Sequence, residues 1–304
     1  MEINVPINEK SNVLKLIELG ADQFYLGYLL GSSFFPRGIL SRHKDRKANF
    51  KSIEAASDSI QEIINAGKKV SITLNEYFYP ESVLKEIMLD IKKLLNLGVS
   101  SFIVADINLL ISARQKFPNL NLIASTTSHI TNSKSVKFFK NFGIKRIVLP
   151  RNLLISEIKE IIGSDINMEF EIIVKNCDCA NIEGLCSYLH GEIDNYNFSA
   201  FCNRIKYNNS NVLLAQRLDE FACAACGLFE LKKMHAKSKI LKIAGRSNCY
   251  NNTIEKDVFF FNILRKNNSI KDKLEFQRYT KLLFKKIYGH SCMDSCYYDI
   301  NGVV

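Results

Sequence analysis

Four times in its first half the chain repeats one phrase: a Gly, two or three residues, then a β-rich apolar run. The phrase reads "ELGADQFYLG", "NAGKKVSITL", "NLGVSSFIVAD" and "NFGIKRIVLP". Gly20, Gly67, Gly98 and Gly143 stand where a helix ends in the left-handed conformation that glycine tolerates. The run after each is short and apolar at successive positions, as in a parallel strand covered by helices on both faces. Before each Gly stands a helix-period segment: "SNVLKLIEL", "SIEAASDSIQEIINA", "SVLKEIMLDIKKLLNL" and "SVKFFKNF". These are αβ units in series. Strands are expected at about Ile3–Val5, Gln23–Leu26, Val70–Leu74, Phe102–Val104, Leu122–Ala124, Arg146–Leu149, Phe170–Val174 and Ile240–Ile243. Eight strands alternating with helices predict an α/β fold, a closed (β/α) TIM-barrel-like domain rather than an open doubly wound sheet. No GxGxxG or Walker-type glycine loop supports a nucleotide-binding sheet.

Two segments break the rhythm: a long loop over residues 28–50, and a cysteine-rich insertion over residues 175–239. Long insertions in a compact fold usually serve function. The simplest division is a barrel domain over residues 1–255 and a C-terminal helical extension, 256–304, carrying a CxxxC. The N-terminal "MEINVPINEK" has no apolar core and predicts no secretory leader. The longest apolar run, "VFFFNIL", is far short of a membrane span. A cytoplasmic protein is expected. The net charge of +10 attracts phosphates, yet the basic residues are dispersed without aromatic interleaving, as on solvated helix faces. Nucleic acid is therefore one substrate class among several.

All nine cysteines follow residue 176. A reducing compartment argues against structural disulfides and for metal or catalytic thiols. Cys177 and Cys179 come directly after the seventh strand, on the barrel face where strand-end loops assemble active sites. Four thiolates from one loop system suit a [4Fe–4S] cluster or a tetrahedral zinc. Only Cys223–Cys226 has the CxxC spacing of a zinc knuckle, and the irregular remainder suits a cluster better, with zinc as the alternative. Cys249, Cys292 and Cys296 are left over: a second metal, closure over the site, a redox pair and simple burial all remain open.

Polar residues gather where the strands end: Asn75 and Glu76, Asp106, Ser125 and Thr126, Arg151 and Arg246. Of these, Arg151, Arg246, Asp106 and Asn75 are the catalytic candidates. The planar fork of an arginine binds carboxylate or phosphate in two places, so Arg151 and Arg246 suit an anionic substrate. Equally, each arginine can pair with Asp106 or Glu76 and only fix loops. His129 is a proton-shuttle candidate or a structural hydrogen-bonding group. Asn132 and Thr131 cap the helix that follows. There is no HExxH, GxSxG or recognisable Cys–His spacing for a protease.

Seven phrases occur in a familiar order: "LIELGADQFYLG", "AGKKVSITLN", "LGVSSFIVAD", "STTSHITNS", "FGIKRIVLPR", the cysteine loop and "LKIAGRSNCY". On these the chain resembles the collagenase-like peptidase family U-32, and within it the short single-domain members that act in oxygen-independent hydroxylation. The resemblance implies a barrel and a [4Fe–4S] cluster on four cysteines. It places three ligands at Cys179, Cys186 and Cys202, and the fourth at Cys223 or Cys226, with Cys226 preferred. It implies an iron–sulfur enzyme that hydroxylates a small-molecule, RNA or peptide substrate. The alternatives are a peptidase, as the family label says, or a non-catalytic subunit paired with a sister protein. Three motifs depart from the family: Ser125-Thr126-Thr127 for Ser-Thr-Gln, Pro150-Arg151-Asn152 for Pro-Arg-Glu, and Ala244-Gly245-Arg246 for Glu-Gly-Arg.

Overall fold

The run after each repeated glycine forms a strand, and the strands close on themselves. The computed structural model describes residues 1–30, 49–175, 183, 223–245, 253–292 and 296–298. The strands are β1 (Glu2–Pro6), β2 (Gln23–Leu26), β3 (Lys69–Leu74), β4 (Ser101–Val104), β5 (Asn121–Ala124), β6 (Arg146–Leu149), β7 (Glu169–Lys175) and β8 (Ser238–Ile243). All eight pair in parallel in chain order as one closed barrel, each expected strand lying within an observed one. Closure is made by β8 on β1, with Ile3 opposite Leu241 and Asn4 opposite Lys242.

Between the strands run α1 (Val13–Leu19), α2 (Ile53–Asn65), α3 (Glu81–Asn96), α4 (Ile107–Lys116), α5 (Ser133–Asn141), α6 (Ile155–Ser164) and α7 (Leu228–Lys233). Two further helices follow β8, α8 (Thr253–Lys266) and α9 (Lys273–Tyr288). Ser52, Asp106, Asn132 and Asp272 accept backbone N–H bonds as side-chain caps of α2, α4, α5 and α9; of these Asn132 was expected as a cap, while Thr131 is not the capping residue. Each repeated glycine sits at positive φ. At Gly20 the need is also spatial, because a Cβ there would stand 2.4 Å from the Asn262 side chain of α8.

That close approach belongs to a latch between α8 and the start of the chain. Arg265 donates to Gly20 O at 2.9 Å and Met1 O at 3.1 Å and pairs with Asp22, while Asn262 donates to Leu19 O at 2.8 Å. The boundary expected at residue 255 thus falls just inside α8, whose buried Val258, Phe260, Phe261 and Leu264 pack over β1, β8 and α1. α9 adds an aromatic layer, with Phe284 edge-on to Phe260 at 5.7 Å and stacked on Tyr288 at 4.3 Å.

The barrel lumen carries charge. Arg146 of β6 donates to Gln23 of β2 at 2.7 Å, and these strands lie on opposite sides of the barrel, so the bond crosses its interior. Glu171 is fully buried and accepts from Lys242 at 2.5 Å and Asn4 at 2.9 Å. The Lys242 ammonium also lies 3.8 Å from the centre of the Tyr25 ring. Burial pushes the Glu171 carboxyl up, but the charges of Lys242 and Arg146 and the hydrogen bonds of Lys242 and Asn4 outweigh it and hold the group below its ordinary value. Among the described residues no helix is long and apolar enough to cross a membrane.

A carboxyl whose folded value is depressed stabilises the fold above its unfolded value, about 4.3 for Glu, and loses that contribution as pH falls through the folded value. Glu171→Gln removes the buried carboxylate that pairs with Lys242 and lies 3.8 Å from Arg146, and is expected to cost about 3–5 kcal/mol at neutral pH. Urea unfolding of both proteins from pH 7 down to 3 measures it: the gap must narrow on acidification, and a constant gap would disprove the electrostatic account.

Candidate functional site

The carboxyl ends of the strands form the mouth of the barrel, and their polar residues fall into three groups. After β3, β4 and β5 the side chains mainly fix loops. Both Asp106 oxygens are occupied: Oδ1 accepts from Asn108 and Leu109 N–H at 2.6 and 3.2 Å, and Oδ2 from Tyr79 N–H at 2.7 Å. Asp106 thereby caps α4 and ties the loop after β3 to it. Asn75 donates to Ser125 Oγ at 3.2 Å. Ser125 caps a 3-10 turn, Thr126–Ser128, that ends at His129 in the left-handed region at φ 51.

After β6 stands an ion pair. The Arg151 guanidinium donates to Glu183 Oε1 at 2.6 Å, and the Arg151 backbone N–H donates to Oε2 at 2.7 Å. Glu183 is 5% exposed. Burial raises its carboxyl, but Arg151, by charge and by hydrogen bonds, holds it below the ordinary range. The other face of the guanidinium is 5.9 Å from the Tyr297 ring centre. His129 Nδ1 lies 3.0 Å from Glu183 O, and since a carbonyl only accepts, Nδ1 carries a proton and donates it. Glu183 therefore gathers β6, the turn after β5 and the C-terminal segment at one point.

After β7 stand thiols and a buried ammonium. The register of β7 against β8 shifts between Ile173 and Lys175. Lys175 is 2% exposed, with its ammonium 5.5 Å from the centre of the Tyr288 ring. Its backbone bridges antiparallel to Cys223, and Cys223 bridges parallel to Cys296. Cys223 and Cys226 are buried and not disulfide-bonded. Burial pushes both thiols up to about 12; Lys175 partly offsets this at Cys223, and the neighbouring Cys223, Cys296 and Cys292 add to it at Cys226. Both are neutral thiols at physiological pH, and a bound metal ion is what would draw them into the thiolate form. Among the described residues no three His, Cys, Asp or Glu side chains converge tightly enough to hold an ion by themselves.

Of the residues expected from sequence, Asn75, Asp106, Arg151 and Cys226 lie at the mouth, while Arg246, Cys179, Cys186 and Cys202 lie outside the described residues, as do Cys177 and Cys249. Arg151 is paired with Glu183, rather than with Asp106 or Glu76. Sequence reasoning missed Glu183, an acid inside the cysteine loop in "NIEGLC", and Lys175, a charge closing the strand "EFEIIVK". In each case the usable signal was a charged residue set among apolar or thiol-bearing neighbours.

Comparison with known proteins accords with this geometry. The profile of Peptidase family U32 matches residues 8–255. The "tRNA hydroxylation protein P" of Haemophilus influenzae is 28% identical over 185 residues, which is 61% of this chain and 38% of that protein. An uncharacterized protease of Methanocaldococcus jannaschii is 29% identical over 201 residues, 63% of this chain and 45% of that one. The "23S rRNA 5-hydroxycytidine C2501 synthase" of Escherichia coli is 26% identical over 200 residues, 63% of this chain and 27% of that protein. The chain thus spans less than half the length of these relatives. With the family profile covering most of its barrel, the chain belongs to peptidase family U32.

Proposed function

We propose that this chain is an iron–sulfur protein serving the oxygen-independent hydroxylation of RNA, with the carboxyl mouth of the barrel as its working face. The observation that supports the reading best is the grouping of buried Cys223 and Cys226 with Lys175, beside the Arg151–Glu183 pair, in a barrel whose relatives bear tRNA and rRNA hydroxylation names. Cys179, Cys186, Cys202 and Cys226 hold a [4Fe–4S] cluster, zinc being the alternative occupant. Thiols are the donors that either takes, and the Lys175 charge lowers the cost of gathering thiolates in a buried place. When bound, a cluster supplies electron transfer and a place to hold an oxygen donor.

The chain's own residues bind and orient. Arg151, kept rigid by Glu183, and Arg246 offer planar donor forks to an RNA phosphate. Asp106 and Asn75 set the loops after β3, β4 and β5 around the substrate. His129 is oriented by the hydrogen bond that its Nδ1–H donates to the Glu183 carbonyl. The word peptidase is a family name here: the sequence holds neither HExxH nor GxSxG.

Two measurements test this reading. Mass spectrometry of nucleosides from a deletion strain is expected to show one hydroxylated RNA nucleoside replaced by a form one oxygen lighter, and an unchanged nucleoside inventory would refute it. Protein purified without oxygen is expected to be brown with about four irons per chain, and Cys179→Ser, Cys186→Ser, Cys202→Ser or Cys226→Ser to lose most of that iron. Colourless wild-type protein with stoichiometric zinc would replace the cluster by the alternative.

Arg151→Lys keeps the charge but loses the fork, and should lower kcat/KM roughly ten- to a hundredfold, the worth of one charge-assisted hydrogen bond. If Arg151 only braces the loop, Arg151→Lys will reduce thermal stability and leave kcat/KM of the folded fraction unchanged.

A further inference from the structure

Helix α9 buries one side and carries a charged stripe on the other. Phe276, Thr280 and Phe284 face inward at four-residue spacing, with Phe276 tilted against Phe229 of α7 at 5.8 Å and Phe284 edge-on to Phe260 of α8. At about 100° per residue the opposite side carries Arg278, Lys281 and Lys285, all exposed. The three fall within a sector of about 60° and span about 10 Å of helix. From Phe276 to Cys292 the sequence has four Lys and Arg, Lys286 included, and no Asp or Glu.

Ordinary helix chemistry explains part of this. Cations in the last turn suit the carbonyl end of the helix dipole, which accounts for Lys285 and Lys286. It does not account for Arg278 and Lys281, set at the three- and four-residue spacings where like charges repel. In α3 the lysines are interleaved with acids, and in α4 Arg114 is tied to the carbonyls of Pro118, Leu120 and Gly143. α5 is as basic, with Lys134, Lys137 and Lys140, but Lys140 pairs with Asp165 ahead of β7, at the end of the barrel away from the mouth. The α9 stripe leads the other way. The Tyr288 ring at its end lies 5.5 Å from the ammonium of Lys175 at the end of β7, and the charge of Lys281 is felt at Cys226.

We infer that the exposed face of α9 is a docking rail for the RNA phosphate backbone, holding a strand beside the mouth through Arg278, Lys281 and Lys285. The inference rests on the RNA reading above and adds the surface that receives the strand. A polyanion is the occupant that fits, because the stripe presents charge without an apolar face. The aromatic side of α9 is already packed against α7 and α8, leaving Leu274 and Leu282 exposed singly, too little to anchor the helix in a bilayer. The family match ends at residue 255 and assigns nothing to this helix.

The test uses the full chain purified without oxygen and bulk tRNA as the probe. Affinity is read by fluorescence anisotropy across a series of KCl concentrations for the wild type and two triple variants. One is Arg278→Gln/Lys281→Gln/Lys285→Gln; the other, Lys134→Gln/Lys137→Gln/Lys140→Gln on α5, removes the same charge. All six positions are exposed and Gln is a good helix former, so both variants are expected to keep the fold, checked by circular dichroism. The α9 variant is expected to bind at least tenfold more weakly at fixed salt, with the slope of log affinity against log salt reduced by about two to three. The α5 variant is expected to stay within about threefold of the wild type. If the α9 triple variant unfolds, each of its single substitutions is expected to reduce the slope by about one. Equal weakening by both triple variants reduces the effect to net charge and overturns the rail. Unchanged binding by the folded α9 variants overturns it too, with the RNA reading left standing. Binding to anionic lipid vesicles that the α9 substitutions abolish, while tRNA binding persists, replaces RNA by a membrane surface. A wild type that binds no tRNA removes the RNA reading itself, and the rail with it.

Discussion

The pairing of β8 with β1 is the constraint on which everything else in this molecule depends. Only a closed barrel brings the carboxyl ends of all eight strands into one ring, and only that ring sets residues as distant in sequence as Asn75, Arg151 and Cys223 around a common mouth. Closure is reinforced from outside by α8, whose Arg265 and Asn262 grip the carbonyls at the end of α1. It is reinforced from within by Arg146, which reaches across the lumen to Gln23, and by Glu171, which joins Lys242 of the adjacent β8 to Asn4 of β1. A polar layer of this kind specifies register more than it adds net stability, because the desolvation of each charge offsets much of its attraction.

The same device recurs at the mouth, where Glu183 does for the loops what Glu171 does for the strands. In both places a buried carboxylate is held ionised by a neighbouring cation, and each bridges elements that the backbone alone leaves separate. The thiols after β7 have the opposite balance. Burial keeps them protonated, and Lys175 at Cys223 and Lys281 at Cys226 offset it only in part. The mouth thus carries a neutralised ion pair on its arginine side and protonated thiols on its cysteine side.

The barrel was legible in the sequence because its signals are local. A helix-period segment, a glycine that tolerates positive φ and a run apolar on both faces report on a few neighbouring residues, and each of the eight strands could be placed from them. The cap at Asn132 is local in the same sense. The division after residue 255 was harder to read, because "VFFFNIL" is apolar whether it closes a barrel or begins an extension. What distinguishes the two is the contact of Asn262 with Gly20, some 240 positions away.

For the site, residue types were legible and partners were not. Arginines at strand ends and a crowd of cysteines after β7 raise the expectation of anion and metal chemistry from composition and order alone. That Arg151 is braced by Glu183, that Lys175 is buried at the end of β7, and that Cys296 lies against Cys223 are facts of tertiary structure. The sequence by itself determined the number of strands, their order and the identity of the chemical groups, since those follow from periodicity and side-chain type. The tertiary structure decided which charge neutralises which and which thiols stand together, since such pairings depend on distances between segments that share no local pattern.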